Sequence, residues 1–558
     1  MPINWNQRLA LLIITLITIS LLFYLRTTQS EANIFAKQLN TQEIAFHDTN
    51  TPTARLSQLS QLALMKGATN DGRTGPTTAR ALFLTLPPDQ QLAIWQNAAI
   101  TDLDNERIPS ERLTLARVLL PALGPEWNHT LILAIEDALR TSNQTDNLNL
   151  AALLSDWRAG RVAQQAGDHD TALTHYQRIW DHHQTITYYS HLGFGFHYPL
   201  MQAFQIADQP DLTWLHANYA YATTPLLPHD TITTSQQLLA TYFTPENHHT
   251  ALAAWENRHQ WITRTRTIDN MTQVWVEGGT FTMGSDPQAM LQLCQQLTAN
   301  LTNDFDYCDL SVYEKEFPPH QVTLDGFWLD QTEVTNEHFA RFVAATNYET
   351  LAEQRGRSIV RDKDGLWVQL DGTSWQHPEG PQSNLDGLQQ HPVVHVSWFD
   401  ANAYCQWAGS QLPTEAQWEY AARGSDGTLW PWGDDLDGSL VNHCDANCSF
   451  RWHNVHYNDR FFLSAPVATY LDNHSWVGAY DLAGNVWEWT ADWHDTDYYA
   501  YSPTHNPTGP AEPVINKRSL RGGAWISTPD NTRSAIRLSV KPNITDYKYG
   551  IRCVTSSP

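Results

Sequence analysis

LPTEAQWEYAARG at Leu412–Gly424, with DLAGNVWEWTADW at Asp481–Trp493 and LRGGAW at Leu520–Trp525, is the run of residues on which the fold turns. In the first block Pro413 precedes Thr414, whose hydroxyl is placed to cap a helix by accepting from its first free amides. The acids Glu415 and Glu419 then fall early in that helix, where the peptide dipoles favour negative charge. Trp418, Tyr420 and Ala421 are predicted to face the core. Upstream, Gly278 and Gly279 precede a predicted strand and suit a turn of positive φ.

These blocks belong to a change of texture after Met271, where tryptophan, glycine and short turn-bounded segments replace helical periodicity. Further blocks follow in order: VWVEGGTFTMGSD (Val274–Asp286), VTLDGFWLDQTEVTNEHFARFV (Val322–Val343), HPVVHVSWFDANAYCQWAG (His391–Gly409), WPWGDD (Trp430–Asp435) and YGIRCV (Tyr549–Val554). Eight collinear blocks resemble the formylglycine-generating-enzyme, or sulfatase-modifying-factor, family along residues 272–556. The resemblance implies a C-type-lectin-like mixed α/β module with little regular secondary structure.

The resemblance also implies the devices that hold such a module together. Its conserved disulfide maps to Cys405 and Cys553, closing a loop of about 150 residues for ~4–5 kcal/mol in the chain-entropy model. Cys294 with Cys308, and Cys444 with Cys448, are the remaining candidate pairs. HCDANC with His453 and His456 has a zinc reading as an alternative, although its spacing matches no standard finger. Two structural Ca²⁺ sites are implied. One uses Asn442, the carbonyl of His443, Asp459 and the carbonyl of Phe461. The other uses Asp481, the carbonyls of Gly484 and Val486, and Glu488. Calcium takes six or more oxygens of these kinds; the alternative is that the acids cap turns. Arg460, where a glycine is common, adds a cation beside the first site.

The catalytic pair of the namesake is missing. Formylglycine-generating members hold copper with two cysteines shortly after RGGS, and soft Cu(I) needs thiolates. Here the line reads RGGAWISTPDNTRSAIR, so Ser527 and Thr532 occupy those positions and Ala524 replaces the serine. No copper is expected, and formylglycine generation is not. Arg533 and Arg537 read as structural ion-pair residues in preference to catalysts. Ser410 and Gln411 replace the family's usual Lys-Arg.

Bulk properties bound the rest. A chain of 558 residues predicts two or three domains. With 42% hydrophobic and 17% charged residues it is folded protein, and a formal charge of −25 argues against nucleic acid as a partner. Residues 9–25, LALLIITLITISLLFYL, read as an uncleaved transmembrane anchor of about 25 Å after a cytoplasmic stub at 1–8, flanked by Trp5 and Tyr24. Arg8 and Arg26 leave orientation unset; all six cysteines lie in the second half, which favours export of that part. The expected location is therefore the inner (cytoplasmic) membrane, single-pass, with the bulk periplasmic or extracytoplasmic.

Residues 31–271 carry helical periodicity. Trp157–Trp180 resembles one tetratricopeptide repeat: Gly160 and Ala163 on a first helix, a Gly167-Asp168 turn, then Ala172, Tyr176 and Ile179 facing back. An irregular helical domain is the alternative. The fold class is thus a transmembrane helix, an all-α repeat-like middle and a mixed α/β head. The reading favoured is a non-catalytic binding, regulatory or assembly factor meeting other envelope proteins through the helical domain. Its rival is an oxidase or maturation enzyme using another site, with a cleft formed by Trp487, Trp489, Trp493 and Trp525. Glycan binding rests on fold analogy alone.

Overall fold

The computed structural model describes residues 129–140, 145–183, 189–224, 229–298, 308–361, 366–450, 452–454 and 457–556. The helical unit comprises α1 (His129–Arg140), α2 (Thr145–Gln165), α3 (His169–His182), α4 (Phe194–Ile206), α5 (Pro210–Ala222), α6 (His229–Ala240) and α7 (Pro245–His259). Antiparallel pairing of α2 and α3 follows from the residues at their turn. Gly167 takes φ +79°, and Asp168 accepts from the Thr171 amide at 3.1 Å to cap α3. A Cβ on Gly160 would lie 2.6 Å from the Tyr176 ring, so only glycine lets the helices approach this closely. Ala163, Ala172, Tyr176 and Ile179 are buried between them. One hairpin of this form does not by itself make a repeat array.

Among the described residues no helix is long and apolar enough to cross a membrane. This corrects the expected fold class: the described architecture is a helical unit and a mixed α/β head without a transmembrane helix. The 9–25 segment lies outside the described residues, and nothing below rests on it.

The head begins with β1 (Thr263–Arg266), which pairs antiparallel with β2 (Met271–Val276). Then come β3 (Gly279–Met283), α8 (Pro287–Thr298), the single turn α9 (Leu310–Tyr313), β4 (His320–Leu324), β5 (Phe327–Asp330), α10 (Asn336–Thr346), α11 (Leu351–Arg355), β6 (Arg357–Arg361) and β7 (Trp367–Asp371). After α12 (Trp398–Trp407) and α13 (Glu415–Arg423) follow β8 (Trp487–Trp493), β9 (Arg518–Arg521), β10 (Leu538–Val540), β11 (Tyr549–Gly550) and β12 (Val554–Ser556). The strands form two four-stranded sheets, β1-β2-β5-β12 and β10-β9-β8-β11, and two two-stranded sheets, β3-β4 and β6-β7. Long loops fill the remainder, so hydrophobic burial is supplemented by covalent and ionic pins.

Local signals mostly act as read. Thr414 caps α13 in a reciprocal box: its Oγ1 accepts from the Gln417 amide at 3.1 Å, and Gln417 Oε1 accepts from the Thr414 amide at 3.0 Å. Trp418, Tyr420 and Ala421 are buried. Gly278 and Gly279 serve differently from expectation, because neither has positive φ. They are needed for space. A Cβ would meet the Leu324 carbonyl at 2.9 Å and the Tyr420 hydroxyl at 2.3 Å, respectively.

Cys405 on α12 is bonded to Cys553 beside β12 across 148 residues; Cys294–Cys308 and Cys444–Cys448 complete three disulfides. The Cys444–Cys448 bond removes the zinc reading, since a disulfide sulfur is no thiolate ligand. His453 turns its Nδ1 to the Phe450 carbonyl at 2.7 Å, and His456 lies outside the described residues.

The helical unit seats on the 457–480 loops of the head. Trp214 donates to the Thr469 carbonyl at 2.8 Å, His248 bonds the Ala468 carbonyl at 3.0 Å, and Tyr219 donates to Asp472. Leu440, Ala468, Leu471 and Tyr480 of the head join one apolar core with α1–α5 and α7. Arg460 adds a cation–π contact. At φ +80° this half-buried residue places its guanidinium 3.5 Å from the Phe243 ring centroid, with Trp214 and Tyr221 within 6 Å.

Candidate functional site

The segment carrying Ser527 and Thr532 leaves β9 through Gly522 and Gly523, at φ +95° and +82°. A Cβ on Gly523 would meet the Asn531 carbonyl at 2.4 Å, because the chain doubles back against itself there. Ser527 Oγ accepts from the Ala524 amide at 3.0 Å, closing a turn. Thr532 is fully buried in a 3₁₀ turn; its hydroxyl donates to the Pro529 carbonyl at 2.8 Å and accepts from Trp430 Nε1 at 3.2 Å. Both hydroxyls thus serve local geometry. They cannot replace soft thiolate donors or take part in thiol exchange. All six cysteines of the chain are in disulfides, so no other thiol is available either.

Aromatic packing covers this segment. Phe450 and Trp452 stack at 4.6 Å, and Trp452 Nε1 donates to the Ile526 carbonyl at 2.8 Å. Arg361 of β6 lies over Phe450 at 3.4 Å and donates to Ser449 Oγ at 2.9 Å. The tryptophan cleft expected from sequence is not open. Trp489 is 0% exposed, Trp525 4% and Trp487 7%, and all three lie in one core cluster, with Trp493 at the far end of β8. Apolar spacing alone does not tell a wall from a core.

Behind the segment lies a buried ionic cluster. Arg533 makes a two-pronged contact with Glu316, at 2.8 and 3.0 Å, and donates to the Asp530 carbonyl at 2.8 Å. Arg537 grips Glu415 at 2.6 and 2.8 Å, and Arg521 reaches Glu415 at 3.2 Å and Glu419 at 2.5 Å. Burial alone would raise the Glu316 and Glu415 carboxyls, but the guanidiniums of Arg533 and Arg537 outweigh it and hold both below the usual range. Burial, reinforced by Glu415, pushes Asp492 up to about 8, and burial with Arg537 pushes His494 down to about 3. Arg533 and Arg537 are therefore structural cations inside the head. Glu316 was invisible to sequence reading because it lies 217 residues from its partner.

The residues implied for calcium fall into two clusters. In the first, Asn442 Oδ1 and Asp459 Oδ2 are buried with no hydrogen-bond partner. Asp445, unremarked in sequence, adjoins them and accepts the Asp459 amide. Burial and then the Asp445 charge push Asp459 well above its ordinary range. The unpartnered Asn442 Oδ1 and Asp459 Oδ2, with the Asp445 carboxyl beside them, are oxygens of the kind a hard cation takes. Arg460 points its guanidinium to Phe243, as described, so it supplies the interface and not a ligand. His443 keeps its Nδ1 on the Val441 carbonyl at 3.2 Å; its main-chain oxygen and that of Phe461 are the donors at issue.

The second cluster fits by charge more than by free oxygens. Glu488 is held by Arg552 at 2.8–3.0 Å and by Trp418 Nε1 at 2.7 Å, while Asp481 accepts the Ala468 amide at 2.6 Å. Burial raises Asp481 to about 7, and burial followed by Asp481 and Glu488 lifts Glu333 well above its ordinary range. Three carboxyls thus face the single guanidinium of Arg552. Gly484 (φ +80°) has no room for a Cβ against the Asn442 carbonyl at 2.3 Å, which binds this loop to the first cluster. Ser410 and Gln411 have structural contacts: Ser410 accepts from Arg266 at 3.0 Å, and Gln411 pairs by main chain with Val554.

The sulfatase-modifying factor enzyme 1-like domain matches residues 259–557. The formylglycine-generating enzyme of Streptomyces coelicolor is 41% identical over 261 residues, covering 43% of this chain and 82% of its own. The inactive Cα-formylglycine-generating enzyme 2 of Mus musculus is 34% identical over 263 residues, 43% of this chain and 79% of its own. PvdO from Pseudomonas aeruginosa aligns in structure with a TM-score of 0.40 and 20% identity, over 53% of this chain and 98% of its own.

Proposed function

The chain belongs to the sulfatase-modifying factor enzyme 1-like family, and on that premise we propose that it is a non-catalytic binding or regulatory member. One observation carries the reading: where the chemistry of formylglycine generation needs two thiols, Ser527 and Thr532 are committed to turn-closing hydrogen bonds under an aromatic cover. The likeness to a mouse relative named inactive supports it. So does the helical unit, which is docked on the head and exposes Leu133, Leu148 and Val162 to solvent. Such a unit suits a protein partner. Three disulfides support folding in an oxidising, extracytoplasmic compartment, and the Asn442–Asp459 cluster supports structural calcium.

The test has two arms on the full chain. Incubated with a sulfatase-derived cysteine peptide, oxygen and copper, the protein is expected to yield no peptide aldehyde by mass spectrometry. Aldehyde above the no-protein blank sinks the proposal. Cross-linking in the native host is expected to trap a stable complex that is lost when the helical unit is deleted. A lone monomer in both cases counts against a binding role.

A further inference from the structure

Where the helical unit meets the head, a crevice of about 610 Å³ remains open. Its floor comes from the helical side, through Tyr189 and Tyr219, and from Asp437 and Asp472 of the head. Tyr219 donates to Asp472. The Tyr189 hydroxyl is buried and has no hydrogen-bond partner, although it feels the Asp472 charge. A buried phenol left unpaired costs about 1–3 kcal/mol, so this oxygen is poised for a donor from outside.

The walls add charge and aromatic faces. Asp426 and Asp435 join the two floor carboxylates on the lining. Against these four carboxylates the lining holds one guanidinium, that of Arg423, which donates to Glu419 and to the carbonyls of Gly284 and Gly427. His474 is held toward its neutral form by burial. The crevice is therefore strongly anionic. Trp476 is 45% exposed and gives its Nε1–H to the Tyr420 carbonyl at 3.0 Å, while Trp432 gives its own to the Asp435 carbonyl at 3.1 Å. With both indole N–H groups taken, the two tryptophans offer only their electron-rich faces.

Excess carboxylate, indole faces and an unpaired phenol oxygen meet the needs of an organic cation. We propose that this crevice is a binding site for an alkylammonium or guanidinium group, with Trp432 and Trp476 over the cation, Asp435 and Asp472 opposing its charge and Tyr189 accepting an N–H. This inference is independent of the absent thiols and of the partner-binding reading.

Titration calorimetry of the full chain with N-acetyl-lysine amide, 1,5-diaminopentane and butylguanidinium tests it, with N-acetyl-norleucine amide as the neutral isostere. Saturable binding of at least one cation and none of the isostere is expected. Trp476→Ala and Asp435→Asn, both at exposed positions, are expected to weaken that binding roughly tenfold and threefold, as losing a cation–π contact and a rim charge implies. A tighter lysine amide identifies a peptide side chain as the source, and a tighter diamine a free polyamine. No saturation by about 10 mM, below the affinity any specific site of this kind needs, overturns the proposal. Equal binding of the isostere, or wild-type affinity in Trp476→Ala, does so too.

Discussion

Replacing Glu316 by Gln decides whether Arg533 is held for structure or for chemistry. The pair is 0–1% exposed and makes two charge-assisted bonds of 2.8 and 3.0 Å. Glutamine keeps the volume and one acceptor, but leaves the guanidinium uncompensated beside Met290 and Tyr313. Breaking one side of a buried pair costs about 3–5 kcal/mol. Arg533→Met should cost about the same, because it strands the Glu316 carboxylate, which among the described residues then keeps the Ser285 hydroxyl as its one side-chain donor. The double variant Glu316→Gln/Arg533→Met removes both charges and should cost well under the sum, giving a coupling of roughly 3 kcal/mol. Urea unfolding of the full chain, followed by tryptophan fluorescence, measures each corner of the cycle. Single costs below about 1 kcal/mol, or additivity within about 0.5 kcal/mol, would refute the structural assignment.

Four further outcomes follow from the same geometry. Cys405→Ala/Cys553→Ala should lose about 5 kcal/mol, since the bond spans 148 residues; an unchanged urea midpoint would contradict the pin. Burial pushes His395 down to about 4, so its folded pKa lies below the unfolded value. Its stabilisation is complete above about pH 6.5 and is lost as pH falls toward 4, and His395→Gln should flatten that slope in acid titrations of stability. Arg460→Gly relieves a left-handed backbone worth about 1 kcal/mol but forfeits a desolvated cation–π contact of about 2. The net loss should appear as earlier proteolysis between the helical unit and the head, and greater resistance would reverse the argument. A calcium chelator should lower the thermal midpoint reversibly, and Asp459→Ala should abolish the response; about 2.7 kcal/mol is at stake at a hundredfold excess over Kd.

Legibility followed the range of each interaction. The α13 cap was readable because Thr414 and the early acids lie within one turn, though its reciprocal partner Gln417 was not read, and the Gly160–Tyr176 approach because small residues recur at helical spacing. The tryptophans of β8 were misread as a cleft. Their pattern marks a buried strand as well as a binding wall, and only the packing of Trp489 on Tyr549 and its bond to the Val396 carbonyl separates the two. The expected transmembrane element finds no counterpart among the described helices.

From its residues alone, this chain declares its family and the replacement of two thiols by hydroxyls at 527 and 532, because both are matters of side-chain chemistry at positions in a collinear pattern. Tertiary structure alone decides that Arg533 answers Glu316, that Arg460 turns from Asp459 to Phe243, and that a carboxylate-lined crevice opens beside Tyr189. Each of these joins groups far apart in sequence, and charge and aromaticity carry no address until folding brings their partners within a few ångströms.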